Sequence, residues 1–271
     1  MIEEYVKKIK KNGYIIIPNL LTPSQCKKYK KLLEETHKKY SNHYAKNKTK
    51  GNLSDKSLEK VVYNLHNKDF RWFRLFENPI VIKILDVILK EGSFNDNEPY
   101  YLNNISARCP LKGNLGQLIH VDSNLPGVNY NIVTNVMWYF DDVNKENGST
   151  VVVPKSHKFT RYADNTKKIQ NKIFIKAKKG SVLIFNANLW HGGSAKKTTG
   201  SRWALALGYA RWFIKPSFDY MKNTPTNIYK KLSKKQKSLL GFDLIPPKDE
   251  FTRVRRRSNF HEIPENYKLN V

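Results

Sequence analysis

Amphipathic helical spacing dominates the first third of the chain, up to about residue 98. Thr22 precedes Pro23, and Gln25 follows Thr22 by three positions, which is the pattern of a helix start with a capping box. Pro79 is placed to open a second helix that Gly92 ends. Apolar residues recur on one face of each helix: Cys26, Tyr29, Leu32 and Leu33 in the first, and Val81, Ile84, Leu85 and Ile88 in the second.

Short apolar or alternating runs, separated by Gly, Asn, Asp and Pro, replace this pattern between residues 100 and 213. Runs of this length with turn residues between them are typical of antiparallel strands in a sandwich or barrel. Helices that come first and strands that come later argue against a parallel sheet. We therefore predict a mainly β fold with flanking helices. The seven runs are "YYLNNISA", "GQLIHVD", "NIVTNVMWYFDDV", "GSTVVVP", "KIFIKA", "GSVLIF" and "RWALALGYARWF".

Three segments are expected to form a single domain over residues 1–271. Residues 1–98 are mostly helical and support the fold, although "GYIIIPN" predicts one strand there and residues 41–58 read as a polar loop. Residues 99–213 form the β core. Residues 214–271 form a basic C-terminal extension, in which "SKKQKSLLGF" predicts a helix.

Composition indicates a globular protein, with 39% hydrophobic residues over 271 positions. No window approaches 18 consecutive apolar residues, and the first residues lack the apolar segment of a signal peptide, so we expect a cytoplasmic protein. Cys26 and Cys109 are the only cysteines. They could form one disulfide, but free thiols are favoured in a reducing compartment.

The formal net charge of +26 raises the question of an anionic partner such as nucleic acid or a membrane. Most of the 49 basic residues are lysines in short doublets along the whole chain, and the densest arginine cluster is "RVRRR" at residues 253–257. A diffuse, solvated basic surface explains this pattern better than a binding patch. We therefore expect no nucleic-acid or membrane partner, and the sequence leaves the oligomeric state open.

The run "QLIHVDSN" places His120 and Asp122 two positions apart, so on a strand both side chains point to one face. His191, on a later strand, could complete a set of three ligands. Two histidines and one carboxylate on one face of iron form the triad of non-haem Fe(II) oxygenases, which leaves open positions for O₂ and a co-substrate. A jelly roll places non-adjacent strands side by side and would bring these residues together. Taken singly, His120 also fits a hydrogen-bonded strand histidine, and His191 an ordinary turn.

Arg202 follows His191 by eleven positions, inside the next apolar run. A buried guanidinium is costly unless it is paired, and a carboxylate can pair with it through two hydrogen bonds. The partner could be an Asp or Glu of the protein. No acidic residue lies between Asp164 and Asp219, however, so an external carboxylate ligand is the more plausible partner.

These residues occur in an order that resembles the phytanoyl-CoA dioxygenase family of Fe(II)- and 2-oxoglutarate-dependent oxygenases. The matching stretches are "HVD", "MWYFDDVNKENGSTVVVPKSHK" and "KKGSVLIFNANLWHGGSAKKTTGSRWAL", and the opening "GYIIIPNLLTPSQC" is also typical of the family. Each motif is weak alone, but the set in this order is specific. The resemblance covers residues 98–213 best and implies a double-stranded β-helix, the cupin-like jelly roll.

Site roles follow from the resemblance position by position. It implies that His120, Asp122 and His191 bind Fe(II), and that Arg202 binds the distal carboxylate of 2-oxoglutarate, with O₂ as the second co-substrate. Trp138 matches a position that lines the 2-oxoglutarate pocket. Gln117 matches a polar position before the H-x-D motif, although it could equally be a barrel-rim side chain.

Three positions bear on how closely the family pattern is followed. Lys155 replaces the glycine of the family's Pro-Gly-Ser-His turn, in which His157 is expected to be structural. Gly193 stands where many members carry a hydroxyl residue, which Ser194 or Ser201 could replace. Asp122 is retained, whereas related halogenases carry a small residue there, so hydroxylation is favoured.

The resulting hypothesis is a dioxygenase that hydroxylates a C–H bond of a small metabolite. The loops at residues 41–58, 123–131 and 158–171 and the tail after Arg211 contain Tyr, Asn, Lys and Arg, which suits a polar or anionic substrate. A Zn(II)-dependent hydrolase could use the same His/Asp/His set. A non-catalytic basic binding module is the third alternative, and the complete triad with its arginine argues against it.

Overall fold

The computed structural model of the chain describes residues 1–46, 58–93, 99–123 and 125–244. Ten strands lie within these ranges: β1 (Tyr14–Ile17), β2 (Glu59–Tyr63), β3 (Tyr100–Pro110), β4 (Gln117–His120), β5 (Val133–Tyr139), β6 (Thr150–Val152), β7 (Ile173–Phe174), β8 (Val182–Asn186), β9 (His191–Gly193) and β10 (Ala204–Arg211). The α-helices of the same ranges are α1 (Ile2–Asn12), α2 (Pro23–Lys46), α3 (Phe73–Phe76), α4 (Pro79–Lys90), α5 (Thr226–Tyr229) and α6 (Lys234–Leu239).

Two antiparallel sheets form the β core. The larger sheet has six strands in the order β1-β8-β5-β10-β3-β2, and the smaller has four in the order β4-β9-β6-β7. Strands distant in sequence are therefore neighbours, as β5 is to β10 and β4 is to β9. This is the predicted mainly β, jelly-roll architecture, which is confirmed.

Each face of the larger sheet contributes to a different part of the core. Alternate strand residues point to opposite faces. Trp138, Ile184 and Leu205 pack outward against helix residues such as Leu33 and Leu85 in the largest apolar cluster. A second cluster fills the space between the two sheets, formed by Tyr139, Val143, Val152, Ile175, Leu183, Phe185, Leu189 and Ala204. The helices thus support one side of the larger sheet and leave its other side to face the smaller sheet.

Both predicted helix starts are present. The Thr22 backbone N–H donates to Gln25 Oε1 at 2.8 Å, and the Gln25 N–H donates to Thr22 Oγ1 at 3.2 Å, which completes the capping box of α2. Asn78 caps α4 by accepting from the N–H groups of Ile80 and Val81. The predicted apolar face of α4 is buried.

The region between α2 and β3 differs from the prediction. Residues 41–46 continue α2 rather than begin a loop, and the rest of the predicted loop, up to residue 57, lies outside the described residues. Strand β2, which was not predicted, pairs with β3 at the edge of the larger sheet. Its sequence "EKVVY" is short and charged at its start, and only pairing with β3 makes it a strand.

The C-terminal segment and the cysteines agree with expectation where the structure describes them. Helix α6 begins with a capping box between Ser233 and Gln236. The "RVRRR" cluster lies outside the described residues. Cys26 and Cys109 are free thiols and are buried.

His66 is a fully buried histidine in a 3₁₀ turn, packed edge-to-face on Tyr220 with the ring centroids 4.9 Å apart. Burial lowers the pKa of His66 from 6.5 to about 3. The unfolded chain therefore takes up a proton below the ordinary histidine pKa while the folded chain does not. Stability is complete above pH 6.5 and falls as the pH drops toward 3.

We expect acidification from about pH 8 to about pH 5 to lower the free energy of unfolding, by about 1.4 kcal/mol per pH unit below the unfolded pKa from His66 alone. Urea titrations at both pH values measure this loss. The same titrations on His66→Phe, which cannot take up a proton, should show a smaller loss. An equal loss in the variant would exclude His66 as the cause.

Candidate metal centre

His120 and His191 face each other on neighbouring strands of the smaller sheet. β4 pairs antiparallel with β9, and His120 is directly opposite His191. Directly opposed residues of an antiparallel pair point to the same face. The two imidazole rings lie 4.4 Å apart between centroids, so strand pairing brings together two residues that are far apart in sequence.

Asp122 joins the two histidines from the segment that follows β4. Its backbone N–H donates to the carbonyl of Ala187 at 2.9 Å, which fixes the segment beside the end of β8. Asp122 Oδ1 lies 3.4 Å from Nε2 of His120, and Oδ2 lies 3.3 Å from Nε2 of His191. One ligand atom from each of the three residues lies within 4.8 Å of the others, a spacing that could hold a single metal ion.

Backbone carbonyls fix the orientation of both imidazoles. Nδ1 of His120 lies 2.8 Å from the Leu118 carbonyl, and Nδ1 of His191 lies 2.9 Å from the Leu189 carbonyl. Because a carbonyl only accepts, each Nδ1 is the protonated donor, and the neutral ring keeps its lone pair on Nε2. Both Nε2 atoms therefore point toward the carboxylate, and in the neutral ring each carries the lone pair that a metal ligand needs.

The electrostatics of the cluster favour an ionised Asp122. Burial by itself would raise the pKa of the Asp122 carboxyl, but the imidazoles of His191 and His120 outweigh it and hold that pKa well below its usual range. In turn, the hydrogen bond to Asp122 raises the pKa of His120. A carboxylate that favours positive charge on the His120 imidazole is equally suited to a cation, and a metal would compete with that proton.

Asn135 holds the carboxylate from the larger sheet. Its Nδ2 donates to Asp122 Oδ2 at 2.7 Å. Asn135 lies on β5 among apolar residues, and its amide restricts the rotation of the Asp122 side chain. A ligand fixed in this way loses less conformational freedom when it binds a metal. Sequence reasoning missed Asn135, although a polar residue in the middle of "VTNVMWY" was a usable sign.

Asn165 holds the outer edge of β4. Its Oδ1 accepts from the Ile119 N–H at 3.1 Å, and its Nδ2 donates to the Ile119 carbonyl at 2.8 Å. One side chain thus makes both hydrogen bonds that a further strand would make to Ile119, the neighbour of His120. On the inner edge, a Cβ at Gly192 would lie 2.7 Å from the Gln117 carbonyl oxygen, so only glycine lets β9 approach β4 this closely.

Arg202 is buried inside the same barrel, with 8% of its surface exposed. Burial lowers the pKa of Arg202, yet in the described ranges no carboxylate pairs with its guanidinium, and its Nε has no hydrogen-bond partner. The two carboxylates whose charge acts on Arg202 already bind other residues. Glu59 pairs with Arg108, and Asp141 accepts from Lys30 and from the Trp203 N–H. The alternative of an internal salt bridge therefore has no support in the described part of the chain.

Trp138 does not lie with these residues. It is fully buried on the outer face of β5, in the cluster that contacts the helices, whereas Asn135, Met137 and Tyr139 occupy the inner face. Counting from His120 across a long loop could not fix which face a residue of β5 occupies. The predicted pocket role of Trp138 is therefore corrected, and Met137 and Tyr139 are the inward residues.

Gln117 lies on β4 directly opposite Gly193, with an exposed side chain. A Cβ at Gly193 would lie 3.8 Å from the Cβ of Gln117, so the glutamine covers the position where the family hydroxyl was expected. Ser194 and Ser201 are both engaged. The Ser194 hydroxyl donates to the Lys145 carbonyl, and the Ser201 hydroxyl donates to Asp141.

The Pro-Lys-Ser-His turn connects the site to α1. His157 Nε2 lies 3.1 Å from the Lys10 carbonyl, and the Lys155 N–H donates to the Asn12 carbonyl at 2.9 Å. Lys155 has φ of 68°, the left-handed conformation that glycine adopts without cost. The turn keeps its shape at Lys155, and its departure from the family pattern does not reach the metal centre.

A jelly roll with two histidines and one carboxylate on an inner face is the combination used by non-haem iron oxygenases. The chain belongs to the phytanoyl-CoA dioxygenase (PhyH) family, whose sequence model matches residues 9–204.

Two curated relatives show how far the similarity extends. The uncharacterized protein Rv1501 of Mycobacterium tuberculosis is 24% identical over 174 residues, 64% of this chain and 64% of the relative. Dioxygenase af480 of Aspergillus fumigatus is 23% identical over 189 residues, 68% of this chain and 59% of the relative. The match thus spans less than two thirds of the length of either relative.

Solved structures share the fold at low identity. HygX from Streptomyces hygroscopicus, with nickel and 2-oxoglutarate bound, has a TM-score of 0.62 at 17% identity over 79% of this chain and 88% of HygX. The epimerase SnoN, in complex with Fe3+, alpha ketoglutarate and nogalamycin RO, has a TM-score of 0.63 at 13% identity over 83% of this chain and 90% of SnoN. At these identities the likeness establishes the jelly roll.

Within the described ranges, no helix has both the length and the apolar character needed to cross a membrane. The cytoplasmic location stays a prediction.

We expect Asn135→Ala to weaken Fe(II) affinity about 10- to 100-fold, the usual cost of losing a residue that orients a metal ligand. Anaerobic titration with Fe(II) or Mn(II) measures it. Asn227→Ala removes an amide from an exposed position on α5 and serves as the matched control. Equal affinities in the two variants would show that Asn135 does not position Asp122.

Proposed function

We propose that the protein is an Fe(II)- and 2-oxoglutarate-dependent dioxygenase that hydroxylates a C–H bond of a small polar or anionic metabolite. The observation that carries the proposal is the presence, in one β core, of a three-ligand cluster and a buried arginine that has no carboxylate partner among the described residues. A metal site alone suits many reactions. A buried guanidinium calls for an anionic co-substrate as well.

The chain's own residues divide the task of holding the reactants. His120, Asp122 and His191 would bind iron through Nε2, a carboxylate oxygen and Nε2. Arg202 would bind the distal carboxylate of 2-oxoglutarate in a dry environment, where a charge-assisted pair is strong. Gln117, exposed on β4 opposite Gly193, would lie at the rim of the site. Iron bound there would supply the redox chemistry that couples O₂ and 2-oxoglutarate to oxidation of the substrate.

Hydroxylation is the reaction favoured by the intact carboxylate. Asp122 would occupy a coordination position that halogenases of related sequence leave open for a halide. The fold itself does not decide among outcomes, because the similar structures include an epimerase, SnoN, and a carbocyclase, SnoK. The assignment to hydroxylation therefore rests on Asp122.

A small polar or anionic substrate is supported by a cavity near the segment that carries Asp122. The cavity measures about 410 Å³ and is lined by Asn186, and the carbonyl of the next residue, Ala187, accepts the backbone N–H of Asp122. Its walls include Lys10, Lys158 and Asn129. HygX has been solved with hygromycin B bound, which is in keeping with small-molecule chemistry on this fold.

We also propose that the three segments form one catalytic domain. The largest apolar cluster contains residues from α1, α2 and α4, from the larger sheet, and from the C-terminal segment up to Phe242. A shared core of this kind is the property that defines a single folding unit.

The triad assignment predicts that His120→Ala, Asp122→Ala and His191→Ala each abolish turnover, because the iron loses a ligand in each. Succinate release from 2-oxoglutarate under O₂ with Fe(II) measures turnover, and Asn227→Ala is the control. Succinate formation at the wild-type rate in any of the three would remove that residue from the triad. Anaerobic hydrolysis supported by Zn(II) would favour the hydrolase alternative.

Arg202→Gln should raise the KM for 2-oxoglutarate about tenfold or more, because a hydrogen bond to a charged group contributes roughly 1.5–3 kcal/mol. The affinity for Fe(II) should stay within about twofold of wild type, since additivity holds for groups that share no partner. Succinate kinetics at varied 2-oxoglutarate, together with metal titration, test both statements. An unchanged KM would refute the role of Arg202.

A further inference from the structure

Gly193 carries no side chain on the inner face of β9, where many family members carry a hydroxyl, and its neighbour Gln117 supplies none. Thr150 of β6 is directly opposite Gly193, and Val152 is opposite His191. Opposed residues share a face, so the Thr150 side chain stands beside Gly193 on the face that carries His191. Thr150 is buried, with 6% of its surface exposed.

Tyr139 approaches the same place from the larger sheet. Its hydroxyl lies 3.0 Å from Thr150 Oγ1, and its ring is fully buried between the two sheets. Tyr139, on β5, is directly opposite Ala204 of β10, and Ala204 follows Arg202 by two positions. Burial raises the pKa of Tyr139 to about 12, against the opposing effects of Thr150 and the nearby Arg202 charge, so the phenol keeps its proton.

The two serines that could have replaced the missing hydroxyl are not available. Ser194 accepts from the Ser149 N–H and donates to the Lys145 carbonyl, so its hydroxyl bridges two backbone segments. Ser201 donates to Asp141, which also accepts from the Trp203 N–H. Tyr139 instead lies close enough to Arg202 for the guanidinium charge to act on its phenol, and its hydroxyl bonds to that of Thr150.

We propose that the hydroxyl pair of Thr150 and Tyr139 binds the distal carboxylate of 2-oxoglutarate together with Arg202, and so replaces the hydroxyl absent at Gly193. This inference rests on the proposed function, since it concerns the co-substrate of that reaction.

The hydroxyl pair of Thr150 and Tyr139 has one O–H that is free to donate to a ligand. Each hydroxyl carries one proton, and the hydrogen bond between them uses only one of the two. Here Thr150 Oγ1 directs the other at the thioether sulfur of Met137, 3.5 Å away. A thioether is a weak acceptor, whereas a carboxylate oxygen forms a short, charge-assisted bond. Replacing the bond to sulfur by a bond to a carboxylate oxygen would therefore favour binding of the carboxylate.

The test is the affinity for 2-oxoglutarate, measured without turnover. Thr150→Val and Tyr139→Phe keep shape and remove only the hydroxyl. Calorimetric titration of 2-oxoglutarate into the anaerobic Mn(II)-loaded protein should show binding weakened roughly tenfold in each variant. The double variant should lose less than the product of the two losses, because the groups act as a pair. Mn(II) affinity should match wild type in all of them.

Two matched variants make the result specific. Thr150→Ser keeps a hydroxyl and should bind 2-oxoglutarate like wild type. Ser201→Ala removes the alternative hydroxyl and should also bind like wild type. Weak binding by Thr150→Ser, weak binding by Ser201→Ala, or unaltered binding by both Thr150→Val and Tyr139→Phe would each overturn the inference.

The failure of the proposed function would look different. In that case the wild-type protein itself would not bind 2-oxoglutarate, or Arg202→Gln would bind it as tightly as wild type does. A wild-type protein that binds through Arg202 but ignores Thr150 and Tyr139 would refute only this further step.

Discussion

The pairing of β4 with β9 is the constraint on which the site depends. It sets His120 directly opposite His191 and turns both Nε2 atoms toward Asp122. β4 lies at the edge of the smaller sheet, where a strand is least well held. The molecule compensates on both sides, since Asn165 saturates the outer backbone groups of Ile119 and Gly192 allows close approach on the inner side.

A buried charge complements the metal centre. Arg202 lies in the barrel with no carboxylate partner among the described residues, which would weaken a protein whose only requirement was stability. The rest of the interior is arranged so that nearby acids are already engaged, Asp141 with Lys30 and Glu59 with Arg108. An external anion then becomes the natural partner, and the proposed 2-oxoglutarate site would explain why the cost is retained.

Local patterns were enough to predict the helix starts, the mainly β core and most of its strands. The capping residues Thr22 and Gln25 lie within one helical turn, so their spacing in the sequence fixes the distance between them. The same holds for His120 and Asp122, two positions apart. Strand β2 was missed because its pairing with β3 joins segments about 50 residues apart, and nothing in "EKVVY" shows that partner. Trp138 was placed on the wrong face because a loop of unknown path precedes β5.

The sequence alone determined the family, the order of the site motifs and the residue types that could hold a metal and an anionic co-substrate. Those are properties of short segments, in which the residue types and their spacing can be read directly from the sequence. Only the tertiary structure decided which side chains meet. Asn135 donates a hydrogen bond to Asp122, and the hydroxyls of Tyr139 and Thr150 bond to each other beside Gly193. The Ser201 hydroxyl donates to Asp141 instead. The reason is that strand register and face are fixed by pairing between distant segments, which composition and periodicity do not encode.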